Sequence, residues 1–372
     1  MFRKLEGGII RMTSIVIISV SGIGSTLLTL PMIKQLRKKK PDWTIDLLCG
    51  QKGSVDLLKD NEDTDNVIFF NRKILKNFLE NVKLLYKLYS KKYDYSIIAF
   101  PGNRIAFNLF SFLIHAKKRL AHSYQHKKFK SGSFLNTKKI KMEEVHDIEN
   151  NLNILKLLDI DIHDASRNME LKLSNVDMIN GAIVLEQKNI TFEDYVCIHP
   201  GCSKDQPYKR LSYLNYALII EELIKKYEIN VMIITGPDER EVYEEIIDYI
   251  DDCYLSKIID SGELDLRTIA ALMKMSSLSI TNDSGLMHIA TAVGANIFGI
   301  YGASDPKRTK PYNLDERYYS ADLECQPCNR TLKNLGCSFK CKHSKYLKKN
   351  KEYKCLDSID LDDIMKKIGE KF

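Results

Sequence analysis

The amino-acid sequence predicts an α/β fold built from two successive doubly wound units. Short runs of β-branched and other apolar residues, apolar at every position, are typical of buried parallel strands. These runs alternate with longer segments in which apolar residues recur at helical spacing, as in a βαβ series. The alternation becomes irregular between residues 171 and 192 and then starts again. A length of 372 residues is sufficient for two or three domains.

The first half of the chain contains the elements of one Rossmann-like domain. Its predicted strands are apolar throughout and cover residues 13–19, 44–49, 67–70 and 96–100. The intervening segments at 26–40, 72–91 and 104–115 have helical patterns. This order predicts a parallel sheet with helices on its faces.

The second half repeats the arrangement. Predicted strands cover 196–199, 231–235, 278–281 and 296–301, and predicted helices cover 213–227, 238–250, 266–274 and 286–293. A last helix is predicted over 361–368, where apolar residues recur at helical spacing. The predicted domains are 1–175 and 176–350, followed by a terminal helix within 356–372.

Charge is distributed unevenly along the chain. The net charge is +7, but residues 1–160 carry 28 Lys and Arg against 15 Asp and Glu, whereas residues 161–372 carry 28 against 34. Residues 95–141 contain ten Lys and Arg and no acidic residue. Such a tract usually marks a solvated face, but it also suits an anionic acceptor or anionic lipid at the inner membrane. No recognition motif for nucleic acid accompanies it, so no nucleic-acid partner is expected.

The sequence predicts a cytoplasmic protein with peripheral membrane contact. A membrane-spanning helix needs about 20 consecutive apolar residues, and no such run is present. Arg3 and Lys4 precede a short apolar stretch, but Arg11 interrupts it and no small-residue cleavage site follows. A secretory signal is therefore not expected.

A glycine-bearing loop follows the first predicted strand. Gly22 and Gly24 precede Ser25 and Thr26 at the start of a helical segment. Glycines let the backbone approach a ligand, and a helix N-terminus offers free N–H groups. The third glycine of a dinucleotide fingerprint is missing, which argues against a nicotinamide-dependent dehydrogenase. A tight strand-to-helix turn is the alternative interpretation.

Two motifs of the second half suit a phosphate or nucleoside. His199 and Gly201 end a predicted strand and precede Lys209, and ligands of open α/β sheets bind at the carboxyl ends of strands. Gly236 and Glu239 follow the next strand. Solvated loop charges and ordinary helix capping are the alternative explanations.

The most specific motif is the segment Asn-Asp-Ser-Gly-Leu-Met-His at residues 282–288. Asp283 and Ser284 can begin a helix whose first N–H groups bind an anion. Capping alone does not require His288, although a lone helical histidine is more often a core residue.

Taken in order, these motifs resemble glycosyltransferase family 9, the ADP-heptose:lipopolysaccharide heptosyltransferases. The resemblance rests on GIGSTLLTLP, HPG with a following KR, TGPDE, ITNDSGLMHIATAVG and FGIYGASDPKRTKPY, and covers residues 13–372. It implies two facing Rossmann-like domains of the GT-B type, with the final helix crossing back to the first. The acceptor would lie in the N-terminal domain and the nucleotide-sugar in the C-terminal domain. The implied reaction is transfer of a heptose-like sugar from an ADP-sugar, with inversion and without a catalytic cofactor, to lipopolysaccharide core or a related glycan.

The resemblance also assigns roles to residues. Lys209 stands where the family contacts the donor phosphates. Donor-binding positions are implied for Gly24, Thr26, His199, Gly201, Gly236, Glu239, Asp283, Ser284, Gly285, Met287 and His288.

The general base is where this sequence departs from the family. Ser25 replaces the usual Asp, and a serine with an ordinary pKa is a poor base. His146, with Glu144 and Asp147, is the best-placed substitute. Two alternatives stay open: a silent nucleotide-sugar-binding partner in glycan assembly and a protein-glycosylating heptosyltransferase.

Five of the nine cysteines cluster near the C-terminus, at positions 325, 328, 337, 341 and 355. In a reducing compartment this spacing favours a tetrahedral thiolate site for structural zinc or iron over disulfides. Cys325, Cys328 and Cys355 are the stronger predicted ligands, and Cys341 or Cys337 completes the set. Similarity to autotransporter heptosyltransferases implies iron, and unligated thiols in a loop are the alternative.

Overall fold

The computed structural model describes residues 2–5, 8–72, 77–124, 131–203, 206–236, 239–312, 314, 316–320, 327–328, 354–357 and 359–371. The chain forms two compact units, Met1–Glu170 and Leu171–Phe372. The boundary predicted from the sequence lies slightly later, after residue 175. None of the helices in the described ranges has the length and apolar character needed to cross a bilayer.

The first unit contains a six-stranded parallel sheet in the order β5-β4-β3-β6-β7-β8, and a separate antiparallel pair β1-β2. The strands are β1 (Phe2–Leu5), β2 (Gly8–Arg11), β3 (Ser14–Ser19), β4 (Thr44–Cys49), β5 (Asn66–Phe69), β6 (Tyr95–Ile98), β7 (Lys118–Ser123) and β8 (Lys138–Lys141). The helices are α1 (Ile23–Leu27), α2 (Leu30–Lys39), α3 (Lys52–Leu58), α4 (Phe78–Ser90), α5 (Ile105–Leu113) and α6 (Asp147–Asn153). The central strands β3 and β4 are almost completely buried, as their apolar sequences predict.

The structure divides the helix predicted at 26–40 into two. The chain turns at Leu28 and Thr29, and Pro31 occupies the first turn of α2. Proline lacks the N–H that a helix interior requires, whereas the first turn of a helix leaves that group unpaired in any case. The position of Pro31 is therefore explained by a helix start rather than by a kink.

The second unit contains another six-stranded parallel sheet, in the order β11-β10-β9-β12-β13-β14. Its strands are β9 (Tyr195–His199), β10 (Asn230–Ile233), β11 (Ile258–Asp260), β12 (Leu278–Asn282), β13 (Ile297–Tyr301) and β14 (Tyr318–Ser320). Its helices are α7 (Asn175–Gln187), α8 (Tyr213–Tyr227), α9 (Arg240–Ile247), α10 (Leu266–Met275), α11 (Gly285–Ala292), α12 (Pro306–Thr309), α13 (Lys354–Asp357) and α14 (Leu361–Gly369). Two parallel six-stranded sheets confirm the predicted α/β class.

The segment that looked irregular in the sequence contains helix α7. Ser174 and Asp177 form a capping box, and the Arg267 guanidinium lies 2.7 Å from the Asp177 carboxylate. Several of the apolar residues of α7, including Val176 and Ile179, are exposed. Because these side chains are not confined to a buried face, apolar periodicity did not reveal the helix.

The final helix, α14, packs within the second unit. Ile364 and Ile368 are completely buried in the same core cluster as residues of α8, and Asp360 caps the helix. The expectation that residues 356–372 return to the first domain is not confirmed, because the buried face of α14 is satisfied within the second unit.

Candidate donor site at the sheet switch points

Each sheet has a point where the strand order reverses. In the first unit the chain runs outward from β3 to β5 and then returns beside β3 as β6. In the second unit it runs outward from β9 to β11 and returns beside β9 as β12. The loops that leave the two adjacent strands diverge at such a point, and ligands of open α/β sheets bind in the resulting crevice. The motifs after β9 and β12 therefore lie at the expected place.

Lys209 and Asp283 form an ion pair at the switch point of the second unit. The Lys209 Nζ lies 2.6 Å from Asp283 Oδ2, and the two side chains are 21% and 3% exposed. The neighbouring Arg210 guanidinium lies over the Tyr213 ring, 5.9 Å from its centre, and donates to its hydroxyl at 2.8 Å. Of the two consecutive cations in the motif, Lys209 is the one directed at Asp283.

The two partners hold each other in the charged state. Burial alone would raise the pKa of Asp283, but the Lys209 ammonium, with Ser304 and His288 nearby, keeps that pKa below its ordinary value. Burial alone would lower the pKa of Lys209, and the Asp283 carboxylate raises it above the usual value instead. A Lys209 ammonium with one of its three N–H groups directed at Asp283 retains donors for a second anion.

The N-terminus of α11 follows directly after this pair. Ser284 is the N-cap in an extended conformation, and its side chain makes no capping hydrogen bond. Within the described residues, the buried Oγ of Ser284 has no hydrogen-bond partner. The first N–H groups of α11, from Gly285 to Met287, are thus without a side-chain cap. Free N–H groups and the positive end of the helix dipole make such a terminus suitable for a phosphate.

Met287 and His288 face inward rather than outward from α11. Met287 is completely buried, and the Tyr301 hydroxyl donates to its sulfur at 3.2 Å. His288 is 5% exposed and lowers the pKa of Asp283 through its charge. Their side chains therefore support the turn from inside the second unit.

Asn282 ties the loops after β9 and β12 together. Its Nδ2 donates to the carbonyl of Pro200 at 2.8 Å and to that of Gly201 at 3.2 Å, while its Oδ1 accepts from the Leu211 N–H at 3.2 Å. The side chain is completely buried. Asn282 thereby fixes both ends of the loop that carries Lys209. Sequence reasoning included Asn282 in the 282–288 motif but assigned it no role, because the role of a buried amide is visible only in its contacts.

Glu239 lies over Gly201. The Gly236 N–H donates to Glu239 Oε2 at 2.9 Å, and a Cβ added at Gly201 would overlap the Glu239 carboxylate. Any larger residue at position 201 would displace this carboxylate. His199, buried at the end of β9, donates from Nδ1 to the Ile234 carbonyl at 3.1 Å. Burial lowers the pKa of His199, with the Glu239 charge acting in the opposite direction.

In the first unit, the loop after β3 positions Gly24, Ser25 and Thr26 in helix α1. Thr26 is 1% exposed; the Ser19 hydroxyl donates to its Oγ1 at 3.0 Å, and this Oγ1 lies 3.2 Å from the Gly22 carbonyl. These contacts close the loop onto the strand, so the Thr26 hydroxyl has a structural role. Ser25 is partly exposed on the same turn.

His146 is the N-cap of α6. The Ile148 N–H donates to His146 Nδ1 at 3.2 Å, and the ring is 8% exposed. With Nδ1 accepting, the neutral ring carries its proton on Nε2. His146 would have to leave this cap before it could take a proton. Farther along α6, Asn151 donates to the Leu28 carbonyl at 3.2 Å and so links this helix to the end of α1.

The predicted metal ligands are placed only in part. Cys325 and Cys341, with Cys337, lie outside the described residues. Cys328 is partly exposed, and Cys355 is 7% exposed in the core of the second unit. Across the described ranges, no three His, Cys, Asp or Glu side chains come close enough together to hold a metal ion. The thiolate site therefore stays a prediction.

A family model described as glycosyltransferase family 9 (heptosyltransferase) matches residues 82–339, more than half of the chain. The chain belongs to glycosyltransferase family 9. It is therefore a transferase, as the resemblance implied.

Several heptosyltransferases resemble this chain over most of its length. Lipopolysaccharide heptosyltransferase 3 of Escherichia coli is 24% identical over 315 residues, which cover 82% of this chain and 88% of the relative. The solved structure of E. coli ADP-heptose lps heptosyltransferase II has a TM-score of 0.72 at 18% identity, covering 96% of this chain and 98% of that one. The dodecameric iron-containing heptosyltransferase TibC from enterotoxigenic E. coli, in complex with ADP-D-beta-D-heptose, has a TM-score of 0.57 at 14% identity, covering 98% of this chain and 78% of that one. At these identities the solved structures show the shared fold.

Proposed function

We propose that this family 9 glycosyltransferase transfers a heptose from an ADP-sugar to a hydroxyl of lipopolysaccharide core or a related surface glycan, with inversion and without a catalytic cofactor. The observation that carries the proposal is the Lys209–Asp283 pair beside the uncapped N-terminus of α11. The relatives point to the same chemistry: one is a lipopolysaccharide heptosyltransferase, and the structure of another was solved in complex with ADP-D-beta-D-heptose.

The proposed donor chemistry is electrostatic. As the sugar–phosphate bond breaks, negative charge develops on the departing diphosphate. Hydrogen-bond donors and cations that are already in place stabilise such charge without reorganising during the reaction. Lys209 supplies a cation held in position by Asp283, and the N–H groups of Gly285 to Met287 supply a fixed dipole. Glu239 and Gly236 are proposed to contact the nucleoside.

The acceptor proton is proposed to leave with help from the first unit. Inverting transfer needs a base near the attacking hydroxyl. Ser25 occupies the loop position that the family assigns to this base, and His146 is the nearest alternative that the sequence offers. Because His146 caps α6 in the present conformation, we assign to Ser25 the role of orienting the acceptor hydroxyl. The hydroxyl proton then passes to a water molecule, which acts as the base, as the new bond from oxygen to the sugar forms and the sugar–phosphate bond breaks.

Binding without turnover is the second candidate function. The serine at position 25 and the occupied Nδ1 of His146 both favour it, since neither side chain is a ready base in this conformation. Measuring donor binding, donor hydrolysis and transfer separately distinguishes a silent binding partner from an enzyme. Offering lipopolysaccharide core and a protein substrate in parallel distinguishes the two classes of acceptor.

Peripheral contact with an anionic membrane is the remaining part of the proposal. The tract between residues 95 and 141 carries ten basic residues and no acidic one. Each Lys or Arg close to an anionic surface contributes about 1 kcal/mol to binding.

The substitution Lys209→Ala tests the donor site. We expect kcat/KM for transfer from ADP-heptose to fall about 100-fold or more, the usual loss when one fixed donor to a developing anion is removed. Lys91→Ala is a matched control, because Lys91 pairs at 2.5 Å with the fully buried Asp46 in the other unit. The control variant measures the cost of leaving a buried carboxylate without its cation at a position away from the site. Unchanged ADP-heptose affinity and rate in Lys209→Ala, or equal losses in both variants, would contradict the assignment.

A further inference from the structure

We propose that helices α4 and α5 form an apolar face that inserts into the headgroup region of an anionic lipid bilayer. The inference rests on the membrane contact proposed above and names the surface that makes it. The contact then combines charge attraction with partial burial of apolar side chains.

Helix α4 exposes apolar and aromatic residues along one side. Leu79 and Tyr86 are 72% and 73% exposed, and further large apolar side chains on the helix are Phe78, Val82 and Tyr89. On a helical projection these five positions fall within about a third of the circumference. The opposite side packs into the core through Leu88, with Leu84 and Leu85 against it. The helix is therefore apolar towards solvent as well as towards the core.

Helix α5 repeats this property. Ile105, Leu109, Phe112 and Leu113 are each between 43% and 51% exposed, and they form one face by their spacing. Phe107 and Phe110 pack against the core on the other side. Phe134, 62% exposed, lies in a short helical segment close to α5. A surface helix with two apolar faces is expected to have a partner on the outer one.

The two helices pack on one core cluster, to which Leu88 of α4 and Phe110 of α5 both belong. The ring of Tyr89, near the end of α4, lies 5.9 Å from the ring of His115, which follows α5. The Phe70 and Phe110 rings meet underneath at 4.8 Å. The apolar face therefore spans both helices.

Charge identifies lipid as the partner of this face. Residues 77–124 contain eight Lys and Arg against two Asp and Glu. Lys83 and Lys87 are exposed on α4, Arg104 immediately precedes α5, and the Arg119 guanidinium lies 5.4 Å from the centre of the Phe112 ring. An apolar, aromatic-rich face bordered by basic side chains matches an anionic bilayer surface, where rings sit at headgroup level. A second copy of the same basic face would repel it.

Vesicle binding with matched variants tests this inference. The test variant carries Leu79→Ser and Leu109→Ser. The control carries Val176→Ser and Ile179→Ser on α7, where the replaced side chains are 64% and 56% exposed in the other unit. Partition onto vesicles of phosphatidylglycerol and phosphatidylethanolamine is measured by flotation, alongside phosphatidylcholine vesicles. We expect at least about a tenfold loss of partition in the test variant and little change in the control, with weak binding to phosphatidylcholine.

A tryptophan probe makes the test independent of those variants. Tyr86→Trp is expected to show fluorescence quenched by brominated lipid, whereas Ile179→Trp is not. Donor hydrolysis without vesicles is measured for every variant, so that loss of catalysis is distinguished from loss of membrane binding. Equal partition of the test and control variants, an unquenched probe at position 86, or a change of oligomeric state in place of lost vesicle binding would overturn the inference.

Discussion

Asn282 is fully buried, yet its side-chain amide makes three hydrogen bonds that join the loops after β9 and β12. Two of these bonds require N–H donors, and the third requires an acceptor. Asparagine provides both kinds of group on one short side chain, whereas aspartate and leucine do not. Asn282 thus helps to position Lys209, although it is not itself part of the Lys209–Asp283 ion pair.

The substitution Asn282→Asp is expected to weaken both folding and donor binding. It would place carboxylate oxygens against the carbonyls of Pro200 and Gly201 in a buried position, at a cost of about 3 kcal/mol in the free energy of unfolding. Asn296→Asp is the control, because the Asn296 amide also donates to two carbonyls but lies away from the site. Denaturant unfolding and titration with ADP-heptose measure the two effects. The role as a positioning residue fails if both variants bind the donor as well as the native protein does.

His122 gives the first unit a pH-dependent stability. It is 3% exposed, and its Nε2 donates to the Asn150 carbonyl at 2.9 Å. Within the described residues its Nδ1 has no hydrogen-bond partner. Burial lowers the pKa of His122 from 6.5 to about 4, partly offset by the bond to Asn150. The folded protein therefore keeps this ring neutral.

Stability is expected to fall as the pH drops from about 6.5 to about 4. Over that range the unfolded chain binds a proton at position 122 that the folded chain does not, which amounts to about 3 kcal/mol at the lower end. Replacement by a non-titrating residue, His122→Asn, is expected to reduce the slope of unfolding free energy against pH. Identical slopes in the native protein and the variant would contradict the explanation.

At the scale of elements, helix α13 lies at the end of the cysteine-rich segment and packs close to the loop that carries Lys209. The Asn215 amide of α8 donates to the Leu356 carbonyl at 3.1 Å. A Cβ added at Gly302 would meet the Leu356 side chain and the Tyr208 carbonyl at 2.8 Å. Leu356 thus packs close to the loop that carries Lys209. A metal held by the neighbouring cysteines would stabilise this contact by fixing the chain before α14.

Elemental analysis tests the predicted thiolate site. We expect about one zinc or iron ion per chain, because four thiolates form a closed tetrahedral site. The variant Cys325→Ser with Cys328→Ser should lose the metal and unfold at a lower temperature, whereas Cys253→Ser, at an exposed cysteine outside the cluster, should not. Protein purified without stoichiometric zinc or iron would rule the site out.

Two of the strands that sequence reasoning missed, β7 and β8, share a physical cause. Strands β7 and β8 lie within the basic tract and carry lysines on their exposed positions. They form the outer part of the sheet, where one side of a strand can remain in water. A search for strands that are apolar throughout finds central strands and passes over these. The pairing of β7 with β6, and of β8 with β7, is a tertiary property.

At the scale of the whole molecule, the chain forms two units, each with its own parallel sheet. The core of the second unit includes α14, which closes one face of its sheet together with α8. The uneven charge seen in the sequence becomes a property of the units, because basic residues outnumber acidic ones in the first unit and not in the second. Within that unit, the exposed apolar side chains of α4 and α5 add a second feature that composition alone did not reveal.

Periodicity and short motifs in the sequence were sufficient to determine the α/β class and the central strands. They also identified three candidate binding segments: the loop with Gly22 and Gly24, the segment that carries Lys209, and residues 282–288. These features are local, because apolar runs and turn residues act within a few positions of the chain. The tertiary structure alone decided the pairing of Lys209 with Asp283, the three hydrogen bonds of Asn282 and the hydrogen-bonded position of the Thr26 hydroxyl. It also decided which apolar helix faces remained in solvent. The contacts depend on atoms that come together from distant parts of the chain, and the exposed faces depend on which side of a helix the core covers. Local sequence patterns predict neither of these.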